Sequence, residues 1–165
     1  MNMKTMRHTI AATLSLLLAL TTAFAAPASA TDESTSMQGR IEAVIAEYGG
    51  IQTGWNQVSW GEGVAVLDLS VEQVEGAVSA LAASTCASGR YCAYSGTSYG
   101  GNRLTYSACP ASYTSFGALG GPVRSVKNSR SSGTVRAYAN STVVATLAPG
   151  AGDAIVSGVT KLTCS

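Results

Sequence analysis

The stretch Cys86-Ala-Ser-Gly-Arg-Tyr-Cys92-Ala-Tyr94-Ser-Gly96-Thr-Ser-Tyr99-Gly-Gly101 decides the fold of this chain. Two cysteines frame the start of a predicted strand, a Tyr-Ser-Gly-Thr turn follows, and a further tyrosine directly precedes a glycine. Tyrosines in this arrangement pack over a folded hairpin, and glycine permits a backbone conformation that a side chain would forbid. The pattern predicts a Greek-key β-domain and favours a binding protein over a catalyst.

The chain after this stretch alternates in the way that a β-protein does. Short apolar runs continue from Leu104 to Leu162 and include Ile155 and Val156, which we expect within strands. Turns rich in Gly, Pro, Asn and Ser separate these runs. Closely spaced short strands with such turns predict a compact sandwich.

Residues 1–30 have the pattern of an export signal. Lys4 and Arg7 form a positive start, an apolar run extends from Ile10 to Leu20, and Ala28-Ser29-Ala30 resembles a cleavage site. The apolar run is shorter than the roughly 20 residues that a membrane-spanning helix needs. We therefore expect a secreted, extracellular protein without a membrane partner.

The predicted signal contains the only histidine of the chain, His8. A mature protein without histidine has no Ser-His or Cys-His pair and no histidine-ligated zinc site. Catalysis by carboxylates alone remains open in principle. The composition nevertheless favours a non-enzyme, and we expect no cofactor and no metal.

All four cysteines, Cys86, Cys92, Cys109 and Cys164, lie in the second half of the chain. An even number of cysteines in an exported protein predicts two disulfides with three possible pairings. If the Tyr91–Cys109 stretch folds as a hairpin about its glycine-rich centre, Cys92 lies opposite Cys109. We therefore favour Cys92–Cys109 together with Cys86–Cys164. A zinc site is the alternative, but the cysteines lack the spacing of a zinc ribbon.

Residues 31–85 read as a small acidic α/β unit. A capping-box spacing at Thr35 and an apolar stripe from Met37 to Tyr48 predict a helix that stops at Gly49-Gly50. Two strands, Trp55–Trp60 and Val64–Leu69, should follow, joined by a glycine turn. A second helix is predicted from Ser70 to Leu81. We expect both tryptophans in the core or in hairpin pairs.

Charge divides unevenly between the two halves. Residues 31–85 hold eight acids and one base, a net charge of −7, whereas residues 86–165 hold seven bases and one acid, a net charge of +6. Two independent domains with ordinary solvated faces would explain this, as would docking of the acidic half on the basic half. An anionic partner is a third reading, and its candidate residues are Arg124, Lys127, Arg130 and Arg136.

The second half resembles the small secreted metalloproteinase inhibitors of actinobacteria, which have a βγ-crystallin-like fold. The residues that carry this resemblance are the opening motif from Cys86 to Thr97, Val123-Arg-Ser125 with Asn128, Thr134-Val-Arg136-Ala-Tyr138, and Val144-Ala-Thr-Leu-Ala-Pro-Gly150-Ala. The resemblance covers residues 86–165 only, and together with the patterns at residues 31–85 it predicts an α+β chain. A βγ-crystallin-like Greek-key sandwich with two disulfides occupies residues 86–165, and a helix–hairpin–helix unit at residues 31–85 precedes it.

The resemblance also implies a position for the peptidase-contacting loop, directly after the Thr-Val-Arg-Ala-Tyr strand. In the family this loop is an exposed insertion closed by its own disulfide. Here the same place holds a tight turn without cysteine, and Asn140, Ser141 and Thr142 are the candidate contact residues. A calcium site at Asn128 and Ser131 is disfavoured because Lys127 and Arg130 bring positive charge beside it.

The leading functional hypothesis is a monomeric secreted peptidase inhibitor whose partner is an extracellular protease, most simply a metalloproteinase. The alternative is a non-inhibitory crystallin-like module for a cell-surface or anionic ligand. Nucleic-acid binding is not expected because the net charge is small. The acidic segment could also act as a pro-segment that covers the basic module.

Overall fold

The computed structural model describes residues 29–71, 85–153 and 155–165. Within them eleven short antiparallel strands form two sheets, and one α-helix accompanies them. The predicted α+β class is confirmed. The helix is α1 (Ser29–Tyr48). The strands are β1 (Ile51–Gly54), β2 (Gln57–Trp60), β3 (Ala65–Asp68), β4 (Tyr91–Tyr94), β5 (Arg103–Tyr106), β6 (Ala111–Tyr113), β7 (Ser125–Asn128), β8 (Val135–Ala139), β9 (Thr142–Leu147), β10 (Gly152–Asp153) and β11 (Lys161–Cys164).

Helix α1 begins earlier than the sequence suggested and ends where expected. It starts at Ser29, so the predicted cap at Thr35 is wrong because that residue lies inside the helix. The helix stops at Gly49, which adopts a left-handed φ of 70° and donates its N–H to the Ile45 carbonyl at 2.9 Å. Met37 and Ile41 are buried in the core, as the apolar stripe predicted. The signal-peptide prediction falls almost entirely on residues 1–28, outside the described residues.

The predicted hairpin is confirmed as β2 and β3, joined by a glycine turn at residues 61–63. The sequence missed β1, which pairs with β2 on the outer edge of the sheet. Trp60 packs partly buried and donates its indole N–H to the Tyr48 carbonyl at 3.0 Å. The expectation for Trp55 is wrong, because this residue lies in the β1–β2 turn and is 62% exposed. The predicted second helix falls mostly on residues 72–84, outside the described residues.

Strands from both halves of the chain lie in one seven-stranded sheet, in the order β1-β2-β3-β5-β4-β7-β10. The junction is the antiparallel pairing of β3 with β5, in which Leu67 lies opposite Leu104. Beside it, the Arg103 guanidinium contacts the Asp68 carboxylate at 2.8 Å. A strand of the first half therefore pairs directly with a strand of the second half.

The remaining strands form a four-stranded sheet in the order β6-β11-β8-β9. Apolar side chains of both sheets and of α1 meet in one core. The largest fully buried side chains of this core are Ile41, Val58, Leu67, Tyr91, Tyr106, Leu119, Val123, Val126, Val135 and Leu162. The body thus resembles a sandwich in which α1 covers part of the larger sheet.

The disulfides differ from the favoured pairing. Cys86 is bonded to Cys92, and Cys109 is bonded to Cys164. In the β4–β5 hairpin Cys92 lies opposite Thr105, not Cys109. Cys109 lies beyond the end of β5 and directly before β6, whose Ala111 pairs with Cys164. All four cysteines are bridged, so the prediction of two disulfides is confirmed although the pairing was wrong.

Three tyrosines form a stacked group inside the body. The ring of Tyr106 stacks on those of Tyr91 and Tyr113, at centroid distances of 5.4 Å and 4.2 Å, and the latter two rings are 6.3 Å apart. Burial raises the pKa of the Tyr91 and Tyr106 hydroxyls well above the usual value. Tyr91 donates its hydroxyl to the Ala108 carbonyl at 3.2 Å. Within the described part of the chain, the buried Tyr106 hydroxyl has no hydrogen-bond partner.

Because the Tyr91 hydroxyl has a hydrogen-bond partner and the Tyr106 hydroxyl has none among the described residues, removing the two hydroxyls should affect stability differently. Tyr91→Phe should lower the free energy of unfolding by about 1 kcal/mol, because the Ala108 carbonyl loses its donor. Tyr106→Phe should leave stability unchanged or raise it, because it removes an unpaired polar atom from the core. Urea unfolding of both variants at neutral pH measures the difference. Equal destabilisation by the two substitutions would show that the Tyr106 hydroxyl has a partner after all.

Candidate functional site

The predicted contact loop is the two-residue turn between β8 and β9. Ala139 pairs with Thr142, so Asn140 and Ser141 form the turn itself. Asn140 has a φ of 54°, a left-handed conformation that asparagine tolerates better than most residues. Its backbone N–H donates to the Thr160 hydroxyl oxygen at 2.8 Å. The turn is exposed, is tied to Thr160 by this hydrogen bond, and is far shorter than the disulfide-closed loop that the resemblance implied.

A second exposed segment, residues 155–160, runs beside this turn. Its end is attached to β8, because the Thr160 N–H donates to the Tyr138 carbonyl at 2.8 Å. Gly158 lies so close to the turn that a Cβ placed on it would be 3.6 Å from the Cβ of Ala139. Val156 and Val159 are buried, whereas Ile155 is 73% exposed. The expectation that Ile155 lies within a strand is wrong, because β10 ends before it.

The four basic candidates do not share one surface. Arg124 is exposed and directly precedes β7, and Lys127 lies on β7 with its ammonium 5.4 Å from the centre of the Tyr99 ring. Arg136 lies on β8 in the other sheet, where it donates to the Ser165 hydroxyl. Arg130 lies just beyond the end of β7. Arg124, Lys127 and Arg130 thus lie on or next to β7, whereas Arg136 lies in the other sheet.

Arg130 has a structural role. Its guanidinium donates to the carbonyls of Gly89 and Ser107, at 3.0 Å and 2.9 Å, and to that of Ser132 at 3.3 Å. Gly89 lies in the short loop closed by the Cys86–Cys92 disulfide, and its N–H donates to the Ser129 carbonyl. Arg130 thus joins three segments at one end of the sheet through charge-assisted hydrogen bonds.

The segment considered for calcium is a bend after β7. Asn128 is fully buried, and its amide nitrogen donates to the carbonyls of Gly133 and Leu147 at 3.0 Å and 3.1 Å. Its amide oxygen accepts the backbone N–H of Arg130. The amide is therefore committed to the backbone around it. Across the described ranges, no three His, Cys, Asp or Glu side chains form a group that could hold a metal ion.

Comparison with known proteins addresses the central body of the chain. Residues 79–147 match the model of peptidase inhibitor family I36. This inhibitor-family segment is less than half of the 165 residues, and its described part runs from Thr85 through β4 to the end of β9. No curated protein and no solved structure matches the chain.

The inhibitor-family segment contains the predicted contact turn and all four basic candidates. It also contains three of the cysteines, but its boundary falls before Cys164 and before the exposed Ile155. Helix α1 and strands β1 to β3 lie wholly outside it, although β3 pairs with its strand β5. Among the described residues, no helix is long and apolar enough to cross a membrane.

Proposed function

We propose that this protein is a secreted peptidase inhibitor that acts as a monomer on an extracellular metalloproteinase. The match of residues 79–147 to a peptidase inhibitor family is the observation that carries this proposal. The metalloproteinase target is supported by the motifs that the chain shares with secreted inhibitors of that class. Two disulfides suit an extracellular location.

A protein inhibitor must enter or cover a peptidase cleft and hold its shape there. Ordering a flexible loop on binding costs free energy, so a loop that is already rigid binds more tightly. The exposed turn at Asn140 and Ser141 has this property, because it is held by β8, β9 and the Thr160 hydroxyl. The disulfides and the Arg130 contacts stiffen the opposite end of the body.

Binding without catalysis fits the composition. After His8 the sequence contains no histidine, so a nucleophile activated by histidine is absent from the whole chain beyond the predicted signal. The family match likewise suggests a non-enzyme. An anionic-ligand module is the weaker reading, because the guanidinium of Arg130 is already bonded to backbone carbonyls.

A two-enzyme panel tests the proposed function. The chain from Thr31 to Ser165 is incubated with a thermolysin-like metalloproteinase and with a subtilisin-like serine peptidase. We expect the metalloproteinase to lose activity at micromolar or lower concentrations of the protein. A sample that has been reduced and alkylated serves as the control and should lose the effect, because it lacks both disulfides.

Two results would count against the proposal in different ways. If neither enzyme slows at micromolar concentration, the inhibitor function is wrong. If only the serine peptidase slows, the inhibitor function stands and the metalloproteinase target is wrong.

A further inference from the structure

Ile155 is the most exposed of the large apolar side chains in the described part of the chain, at 73%. Ile51 and Trp55 follow at 65% and 62%, and both lie in the N-terminal hairpin. Single exposed apolar residues are common on soluble proteins. Exposure alone therefore does not distinguish Ile155 from the other two.

Two hydrogen bonds hold the chain at Ile155 and Val156. Before it, Asp153 pairs with Val126 in the sheet, and the Asp153 carboxylate accepts the Ile155 N–H at 3.2 Å. After it, the Val156 N–H donates to the Arg124 carbonyl at 2.8 Å, and the Val156 side chain is buried in the core. The exposed Ile155 side chain thus stands on a hydrogen-bonded segment, which lowers the ordering cost of presenting it to a partner.

Ile155 also begins the segment that runs beside the predicted contact turn. Thr160, at the end of that segment, bonds both the Tyr138 carbonyl and the Asn140 N–H. Ser157 and Gly158 are exposed between the two ends. Ile155 and Asn140 are fifteen positions apart in the sequence. The chain passes from β10 of the larger sheet to β11 of the smaller sheet, and on this path Gly158 comes close to Ala139.

This arrangement has the composition of a protein-binding site. Interfaces place a few apolar or aromatic anchors at the centre and surround them with polar residues that exclude water. Here the exposed apolar side chain of Ile155 begins a segment that continues through the exposed polar Ser157. The far end of this segment contacts the polar turn at Asn140 and Ser141. Arg124, whose carbonyl accepts the Val156 N–H, is exposed just before β7.

The geometry points to Ile155 as the apolar anchor with which this protein enters the side-chain pocket of a peptidase. The inference rests on the proposed function and names the kind of partner, a peptidase whose specificity pocket is apolar. A pocket that carries a buried charge would reject the side chain, because the charge would lose water without gaining a partner. The Asn140–Thr142 turn and Ser157 form the polar border of the contact.

Matched substitutions in the Thr31–Ser165 chain test this assignment. Ile155→Ser should weaken inhibition of a thermolysin-like metalloproteinase by about 10-fold to 100-fold, because an apolar side chain no longer leaves water on binding. Ile51→Ser is the control, since it changes the same residue type at similar exposure on β1, whereas the contact turn joins two strands of the other sheet. It should leave inhibition unchanged. Ser157→Arg, which adds bulk beside the anchor, should weaken inhibition as well.

Thermal unfolding keeps the result interpretable. Both isoleucines are largely exposed, so neither serine variant should change the unfolding temperature by more than about 2 °C. If the unchanged chain inhibits and Ile155→Ser inhibits equally well, the anchor assignment is wrong while the proposed function stands. Equal weakening by Ile51→Ser would also overturn the assignment. If the unchanged chain inhibits no peptidase, both the function and the anchor fail.

Discussion

A fragment that contains only residues 86–165 is expected to be less stable than the chain from Thr31 by at least about 5 kcal/mol. The missing segment buries Met37, Ile41, Val58 and Leu67 against the rest of the core. Full burial of such a side chain is worth roughly 1.5–3 kcal/mol, and extended-chain bookkeeping gives an upper estimate. The loss would therefore remove much or all of the stability of a typical domain.

The same truncation leaves β5 as an unpaired edge, because its partner β3 is gone. An exposed edge beside uncovered apolar side chains promotes aggregation. Chemical denaturation of the fragment and of the longer chain, followed by circular dichroism, measures the difference. Addition of a peptide covering residues 31–71 should restore part of the stability. A fragment that unfolds cooperatively at the same midpoint as the longer chain would show that residues 31–71 are an appended unit.

Replacing Cys109 and Cys164 together by serine is expected to cost about 4 kcal/mol, against about 2 kcal/mol for Cys86 and Cys92. The reason is the length of chain that each bond closes, a separation of 55 residues for the first and of 6 for the second. In the chain-entropy model, a bond that closes a longer loop removes more freedom from the unfolded state. The first bond also joins the start of β6 to the end of β11.

Denaturant midpoints of the two double-serine variants provide the measurement, with the unchanged protein as reference. Each variant removes both members of a pair, so no unpaired thiol remains to form a wrong bond. A larger loss from the Cys86–Cys92 pair would contradict the entropic argument. It would show instead that the short loop held by Arg130 is the more important support of the fold.

Much of the architecture follows from local patterns. The apolar stripe from Met37 to Ile45 and the glycine stop fixed the end of α1, and the turn at residues 61–63 located the β2–β3 hairpin. Such signals lie within a few residues of each other, so they can be read without knowing the tertiary structure. The start of α1 and strand β1 were missed because their capping and alternation signals are weak.

The disulfide pairing depended on features that local patterns do not contain. Folding the sequence about its glycine-rich centre suggested that Cys92 meets Cys109, but the actual register places Thr105 opposite Cys92. Cys92 lies with Cys86 and Tyr94 in a small cluster separate from the main core. Cys109 instead meets Cys164 through the pairing of β6 with β11, two strands far apart in sequence. Long-range pairing of this kind cannot be read from one sequence.

The sequence predicted one part of the candidate site, the turn after β8, but not the part at Ile155. The turn at Asn140 and Ser141 was predicted from the turn signal after Tyr138, and the contact role of Asn140, Ser141 and Thr142 stays a prediction. Ile155 was missed because an isoleucine followed by valine reads as an ordinary buried strand. Only the short length of β10 and the hydrogen bond from Val156 to Arg124 leave its side chain exposed. The role of Arg130 was misread for the same reason, since its carbonyl partners come from distant segments.

Hydrogen–deuterium exchange of the complex tests the central claim most directly. The Thr31–Ser165 chain would be compared alone and bound to a thermolysin-like metalloproteinase whose catalytic activity has been removed by mutation. The account predicts slower exchange on binding in peptides that cover residues 139–143 and 155–160, with little change in β1 and β2. Protection confined to the N-terminal hairpin, or no complex at all, would contradict it.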